Sequence, residues 1–104
     1  KGKENEEMHI IHLNSQNLVL EIEKHAEGTV SKSAVFPRTL IQSVIRTGAS
    51  GVILVHNHPG GSLIASPEDH SFTKSIKELL HKIDARLLDH LIIGDNDYCS
   101  LMET

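Results

Sequence analysis

Tryptophan is absent from the 104 residues, only two Phe and one Tyr supply aromatic rings, and a single cysteine, Cys99, stands late in the chain. One thiol cannot close an internal disulfide, and it cannot furnish the cysteine-rich ligand set of a structural zinc site. With no charged-then-apolar leader at the start, a reducing, cytoplasmic setting is the expectation. No apolar run approaches the roughly 20 residues that a helix needs to cross a bilayer, so no membrane association is expected. Positive charge is also scarce, with 10 Lys and Arg against 14 Asp and Glu, for a formal net charge of −4. Affinity for phosphate backbones comes mainly from Lys and Arg displacing counterions, so direct nucleic-acid binding is not expected of this chain. What is plentiful is histidine, with eight residues. Whether any of them are placed for chemistry is the question the rest of the sequence answers.

A chain of this length is expected to form one domain. Residues 1–7 are charged and lack apolar side chains, and are expected to be a disordered lead; 8–104 are expected to fold. Met8 to Leu13 and Leu18 to Lys24 are apolar-rich runs separated by Asn14-Ser15-Gln16-Asn17, the pattern of a β-hairpin. In the second run Glu21 and Glu23 share one face by the strand period of two. Val30 to Phe36 reads as an extended stretch, and a helix is predicted from Pro37 to Thr47, with Gly48 as its stop. Gly51 to Val55 is continuously apolar, as in a strand buried on both faces. Ser66-Pro67-Glu68-Asp69 opens a helix, with Ser66 as N-cap and the stripe Phe72, Ile76, Leu79, Leu80 and Ile83 as its buried side. Arg86 to Ile93 and Tyr98 to Met102 read as strands around a Gly94-Asp95-Asn96-Asp97 turn. The order β-β-α-β-α-β-β predicts a mixed sheet with helices packed against it, in the α/β to α+β range.

The central strand runs into Val55-His56-Asn57-His58-Pro59, and ends of central strands are where such sheets place their sites. His56 and His58 are two apart and point the same way in extended backbone; Asp69 follows eleven residues after His58, in the first turn of the next helix. Two imidazoles and a carboxylate leave a fourth zinc position open for water, the arrangement of a catalytic site. Amide hydrolysis also needs a carboxylate to move the proton, and Glu23 and Glu21 both qualify from one strand face. Simpler readings exist for the same residues. Ser66 and Asp69 form a capping pair, and a phosphate cradle at Gly60-Gly61-Ser62 is disfavoured by Glu68 and Asp69 at the helix start. Asp89 and His90 alternate faces and read as structural, and His9, His12, His25, His70 and His81 read as surface or hydrogen-bonded residues, with His70 a possible neighbour of the site.

The pattern His56-x-His58-Pro59-x6-Ser66-x-x-Asp69, with an upstream Glu, resembles the JAMM motif of JAB/MPN-type metalloproteases. Glu23-x4-Gly28-Thr29, Phe36-Pro37-Arg38 and Leu88-Asp89-His90-Leu91-Ile92-Ile93-Gly94-Asp95 resemble the bacterial RadC branch in particular, from about Met8 to Met102. The resemblance implies a JAB/MPN fold of the cytidine-deaminase-like type and a zinc-dependent hydrolase acting on a peptide or isopeptide bond of a peptide or protein substrate. It implies Zn2+ held by His56, His58 and Asp69, with Glu23 rather than Glu21 as the catalytic acid–base and Ser66 steadying the oxyanion. Between Pro59 and Ser66 the chain departs from the family, which commonly carries Ser-Gly-Asp-Pro and a second Pro where Gly60, Ser62, Leu63 and Ala65 stand here. RadC proteins usually also carry an N-terminal helix-hairpin-helix region, and their family label links them to DNA repair. The alternative expectation is therefore a non-catalytic interaction module of DNA repair or recombination. The contiguous letters His-Asn-His do not make an HNH nuclease, whose site residues are spread over a metal finger.

Overall fold

The computed structural model describes residues 7–25, 35–58 and 61–102. Seven elements follow in the order β1 (Met8–Leu13), β2 (Val19–His25), α1 (Val35–Thr47), β3 (Gly51–Asn57), α2 (Pro67–His81), β4 (Arg86–Ile93) and β5 (Tyr98–Ser100). They form a five-stranded sheet in the order β2-β1-β3-β4-β5, with β3 and β4 parallel and the other pairs antiparallel. Among the described residues the fold is a mixed sheet with two helices, of the α+β kind. No helix among the described residues is long and apolar enough to cross a membrane.

The β1–β2 hairpin turns because the Asn14 side chain accepts from the backbone N–H groups of Gln16 and Leu18, while Asn17 takes a left-handed φ of 63°. Alternate residues of the inner strands, Met8, Ile10, Val52 and Leu54, meet Phe36, Leu40 and Val44 of α1 and Ile76 and Leu80 of α2 in a single core. Phe36 packs on Phe72 with ring centroids 5.5 Å apart, which joins the two helices on one face of the sheet. Burial of this many large aliphatic and aromatic side chains, at roughly 1.5–3 kcal/mol each, is the main term holding the domain together.

Several boundaries differ from the sequence expectation. Glu7, the last residue of the expected lead, is hydrogen-bonded to the end of β3: its N–H donates to Asn57 Oδ1 and its carbonyl accepts from the N–H of Asn57; residues 1–6 lie outside the described residues. Of the extended stretch expected from Val30, residues 30–34 also lie outside them, whereas Val35 and Phe36 are helical. Pro37 is tolerated in this first turn because N–H groups there have no intrahelical acceptor. The central strand runs on to Asn57, paired by β4 throughout, and β5 stops at Ser100. On β2 the apolar residues point outward, with Leu20 44% and Ile22 60% exposed, so the edge strand turns its carboxylates toward the helices.

One irregularity in the sheet matters for the site. Between β3 and β4 the register shifts at Val52/Ile53: Val52 pairs with Leu87, but Ile53 pairs with Asp89 and Leu54 with His90. Leu88 is the extra residue, and it leans on Gly51, where an added Cβ would stand 3.0 Å from Leu88 Cδ1. A side chain larger than hydrogen at residue 51 would press on this bulge.

Candidate metal centre

His56 is carried by β3 between Met8 of β1 and Ile92 of β4, and is buried. His58 follows directly after the strand. Asp69 is the third residue of α2 and sits in its capping box: the Ser66 hydroxyl accepts from the N–H of Asp69 at 3.0 Å, and the N–H of Ser66 donates to Asp69 Oδ2 at 2.8 Å. The same device that starts the helix therefore fixes the carboxylate, so capping the helix and standing in the candidate triad are compatible for Asp69.

The three side chains converge. His58 Nε2 and Asp69 Oδ2 are 2.8 Å apart, and His56 Nε2 and Asp69 Oδ1 are 3.6 Å apart. One ligand atom from each residue lies within 4.8 Å of the others. Tetrahedral bonds of about 2.0–2.1 Å place ligand atoms roughly 3.4 Å from one another, so these separations suit a single ion with little movement. Imidazole nitrogen and carboxylate oxygen are donors that divalent first-row metals accept.

Burial pushes the His56 imidazole down to about 4, with the His58 charge acting in the same direction and Asp69 opposing it. His56 is therefore neutral at pH 7, the state in which a ring can bind a metal. For Asp69, burial works to raise the carboxyl, but the two bonds from Ser66 and the charges of His58 and His56 outweigh it and hold the group below its ordinary value. His56 as a neutral imidazole and Asp69 as an ionised carboxylate are in the states in which they could hold a metal ion.

Behind this triad stand two residues that the sequence did not single out for the site. His90 Nε2 is 2.7 Å from His56 Nδ1, and His90 Nδ1 is 2.6 Å from Thr73 Oγ1. His90, expected as a structural residue of its strand, contacts His56, one of the three residues that could hold a metal ion. Thr73 lies one turn after Asp69 on α2, the only hint that sequence offered.

Glu23 stands apart from the triad. Its register partner is Ile10, which in turn pairs with Leu54, two residues short of His56. Two strand spacings, roughly 10 Å, separate β2 from β3. Its carboxylate is turned away from His56: Oε1 lies 2.7 Å from Nε2 of the fully buried His12, and Oε2 accepts from Ser43 at 2.9 Å. Burial acts to raise this carboxyl, but the bonds to His12 and Ser43 prevail and keep it low. Glu21 shares the face of Glu23, as the strand period implied, and pairs with both guanidinium nitrogens of Arg46 at 2.9 and 2.8 Å. The structure thus brings His56, His58, Asp69 and Ser66 together and leaves Glu23 in a separate cluster with His12, Ser43 and Arg46. His70 is exposed on α2.

Comparison with known proteins gives a family model described as a RadC-like JAB domain, matching residues 1–104. A UPF0758 protein of Legionella pneumophila strain Corby is 39% identical over 97 residues, covering 93% of this chain and 43% of the relative. A UPF0758 protein of Desulforudis audaxviator is 45% identical over 89 residues, covering 86% of this chain and 39% of the relative. UPF0758 protein FN0909 of Fusobacterium nucleatum is 38% identical over 101 residues, covering 97% and 44%. The chain spans less than half the length of these relatives.

Proposed function

The chain belongs to the RadC-like JAB domain family, and from that premise we propose that it is a zinc-dependent hydrolase that cleaves a peptide or isopeptide bond. The observation that carries this reading is the convergence of His56, His58 and Asp69 at the end of the central strand. Zinc bound there supplies a Lewis acid and a water of lowered pKa. His56 and His58 hold the ion through their ring nitrogens, and Asp69 completes the set with a carboxylate kept ionised by Ser66. Ser66, beside Asp69, is the residue proposed to hydrogen-bond the developing oxyanion, an interaction of a kind worth about 3 kcal/mol. Its hydroxyl already accepts the Asp69 N–H and keeps its own hydrogen for this purpose. Glu23 is the proposed base, taking a proton from the attacking water and passing it to the leaving amine. To do so its carboxylate must swing off His12 and Ser43 toward the triad.

That requirement favours a second reading, in which the domain binds a metal but serves as a non-catalytic module of DNA repair or recombination. Metal analysis of purified protein followed by a peptide-library cleavage assay separates the two. On the hydrolase reading the protein retains about one equivalent of zinc, His58→Ala loses most of it because two ligands cannot hold zinc against a chelator, and Glu23→Gln keeps the metal while losing cleavage. Zinc retention with no cleavage by wild type, or with equal cleavage by wild type and Glu23→Gln, refutes Glu23-dependent hydrolysis. Equal zinc retention by wild type and His58→Ala refutes the site. A peptide or protein substrate and a cytoplasmic setting belong to this proposal.

A further inference from the structure

Three short contacts run inward from the triad. His56 Nδ1 lies 2.7 Å from His90 Nε2, His90 Nδ1 lies 2.6 Å from Thr73 Oγ1, and Thr73 Oγ1 lies 2.7 Å from the backbone carbonyl oxygen of Asp69. His56, Thr73 and His90 are all buried. The run begins at one ligand of the triad and ends on the backbone of another.

The placement of hydrogens along this run is determined from its far end. Two oxygens at 2.7 Å need a hydrogen between them, and a carbonyl has none, so the Thr73 hydroxyl donates to Asp69. That hydroxyl then has only lone pairs to offer His90, and His90 Nδ1 must carry a hydrogen. His90 is fully enclosed, and the partners of both its nitrogens, a hydroxyl and an imidazole, are uncharged. A positive charge there would be expensive, so the ring is neutral and its Nε2 is bare. A bare Nε2 accepts, so the hydrogen in the last contact belongs to His56 Nδ1. His56 Nε2 is left with its lone pair on the side of His58 and Asp69.

We propose that Thr73 and His90 are positioning residues that lock His56 in the Nδ1–H tautomer, so that its Nε2 lone pair is presented to a divalent metal ion before the ion arrives. The proposal rests on the metal-binding reading of the triad. Running the hydrogens the other way leaves the Thr73–Asp69 pair as two bare oxygens 2.7 Å apart and aims an N–H of His56 into the metal position. With both rings neutral, each of the three contacts holds one hydrogen only when donation runs from His56 through His90 and Thr73 to Asp69. Because Asp69 and Thr73 are four apart on α2, the helical turn that delivers the carboxylate also anchors the relay. Partners of this kind typically change metal affinity by about 10–100-fold when removed.

The experiment has two arms. Long-range 15N–1H correlation spectra of metal-free, histidine-labelled protein at neutral pH distinguish protonated from bare ring nitrogens. His56 and His90 are both expected as Nδ1–H; either ring as Nε2–H overturns the lock. Zinc affinity is then measured by competition with a chelator, with folding of each variant checked by its thermal transition. Thr73→Val, which keeps the shape and removes the hydroxyl, is expected to bind zinc about 10-fold or more weakly. Thr73→Ser is expected to bind as wild type does. Equal affinity of wild type and folded Thr73→Val overturns the proposal. Wild type that binds no zinc overturns the metal reading and with it the purpose of the lock, whereas an Nε2–H His56 in a protein that does bind zinc overturns the lock alone.

Discussion

Acidifying the metal-free protein from pH 7 to 4.5 is expected to remove stability that two buried imidazoles supply only while neutral. Burial lowers His56 and His90 from 6.5 to about 4; His58 aids this for His56 while Asp69 opposes it, and His56 and His58 aid it for His90 while Asp69 and Asp89 oppose it. Both rings protonate near 6.5 in the unfolded chain. Between that value and about 4 the unfolded state therefore binds more protons than the folded one, so stability is fully present above the unfolded value and falls as pH is lowered through the window. At about 1.36 kcal/mol per pH unit, one ring contributes roughly 3 kcal/mol over the whole window. The rings share a hydrogen bond and titrate as a pair, so about 3–6 kcal/mol brackets their joint effect. Against the roughly 5–15 kcal/mol of an ordinary domain, that is a large fraction. Asp69 and Glu23 act lower on the scale. Their carboxyls are held below their ordinary 3.8 and 4.5, so their contribution is present above those values and is lost only as pH falls further. Urea unfolding followed by circular dichroism, with chelator present, at pH 4.5, 5.5, 6.5 and 7.5 measures the effect. The midpoint is expected to fall steadily from pH 6.5 to 4.5. An unchanged midpoint across that range would refute the reasoning, because it would mean that the rings titrate normally in the folded state and are not desolvated.

Ser66→Ala removes the acceptor for the Asp69 N–H and is expected to cost about 1 kcal/mol, seen as a drop of roughly 4–8 °C in melting temperature for a domain near 100 residues; an unchanged melting temperature would show that water replaces the cap. Glu23→Ala leaves buried His12 without its carboxylate partner and Ser43 without its acceptor, and denaturant unfolding is expected to report a loss of about 1–3 kcal/mol. A neutral result there would mean that the His12–Glu23 contact is not maintained in solution. Gly94→Ala would bring a Cβ to 2.9 Å from the Gly61 carbonyl oxygen and 3.1 Å from Leu63 Cδ2, and the backbone shift it forces is expected to destabilise by roughly 1–3 kcal/mol. Thermal unfolding that matches wild type would show that this loop yields freely.

Much of the local structure is legible in single segments. Met8–Leu13 and Arg86–Ile93 are strands with the limits that their apolar residues and flanking turns imply. The second helix starts where Ser66, Pro67 and Asp69 say it should, because a cap is a contact among neighbours in sequence. The start of the first helix is less legible. Its opening residues, Val35 and Phe36, have no local helical signal ahead of Pro37, and Phe36 is held there by packing on Phe72 of α2 and on His25 of β2. On β2 the sequence period correctly puts Glu21 and Glu23 on one face. Which face of an edge strand turns inward depends on what the helices offer, and here Ser43 and Arg46 of α1 draw the carboxylates in while Leu20 and Ile22 face out.

The amino-acid sequence by itself determined the candidate donor set: two histidines two apart at the end of a buried strand, and an aspartate in the first turn of the following helix. These are short-range facts, set by strand and helix periods and by a cap. Tertiary structure alone decided what surrounds that set. Glu23 is separated from His56 because β1 is inserted between β2 and β3, and the buried His12 that β1 carries captures its carboxylate. His90 reaches His56, 34 residues away, because the register of β3 and β4 slips by one residue at Val52/Ile53. Side chains on a strand alternate faces, so without that bulge Asp89 would stand opposite Leu54, and His90 would point to the other side of the sheet.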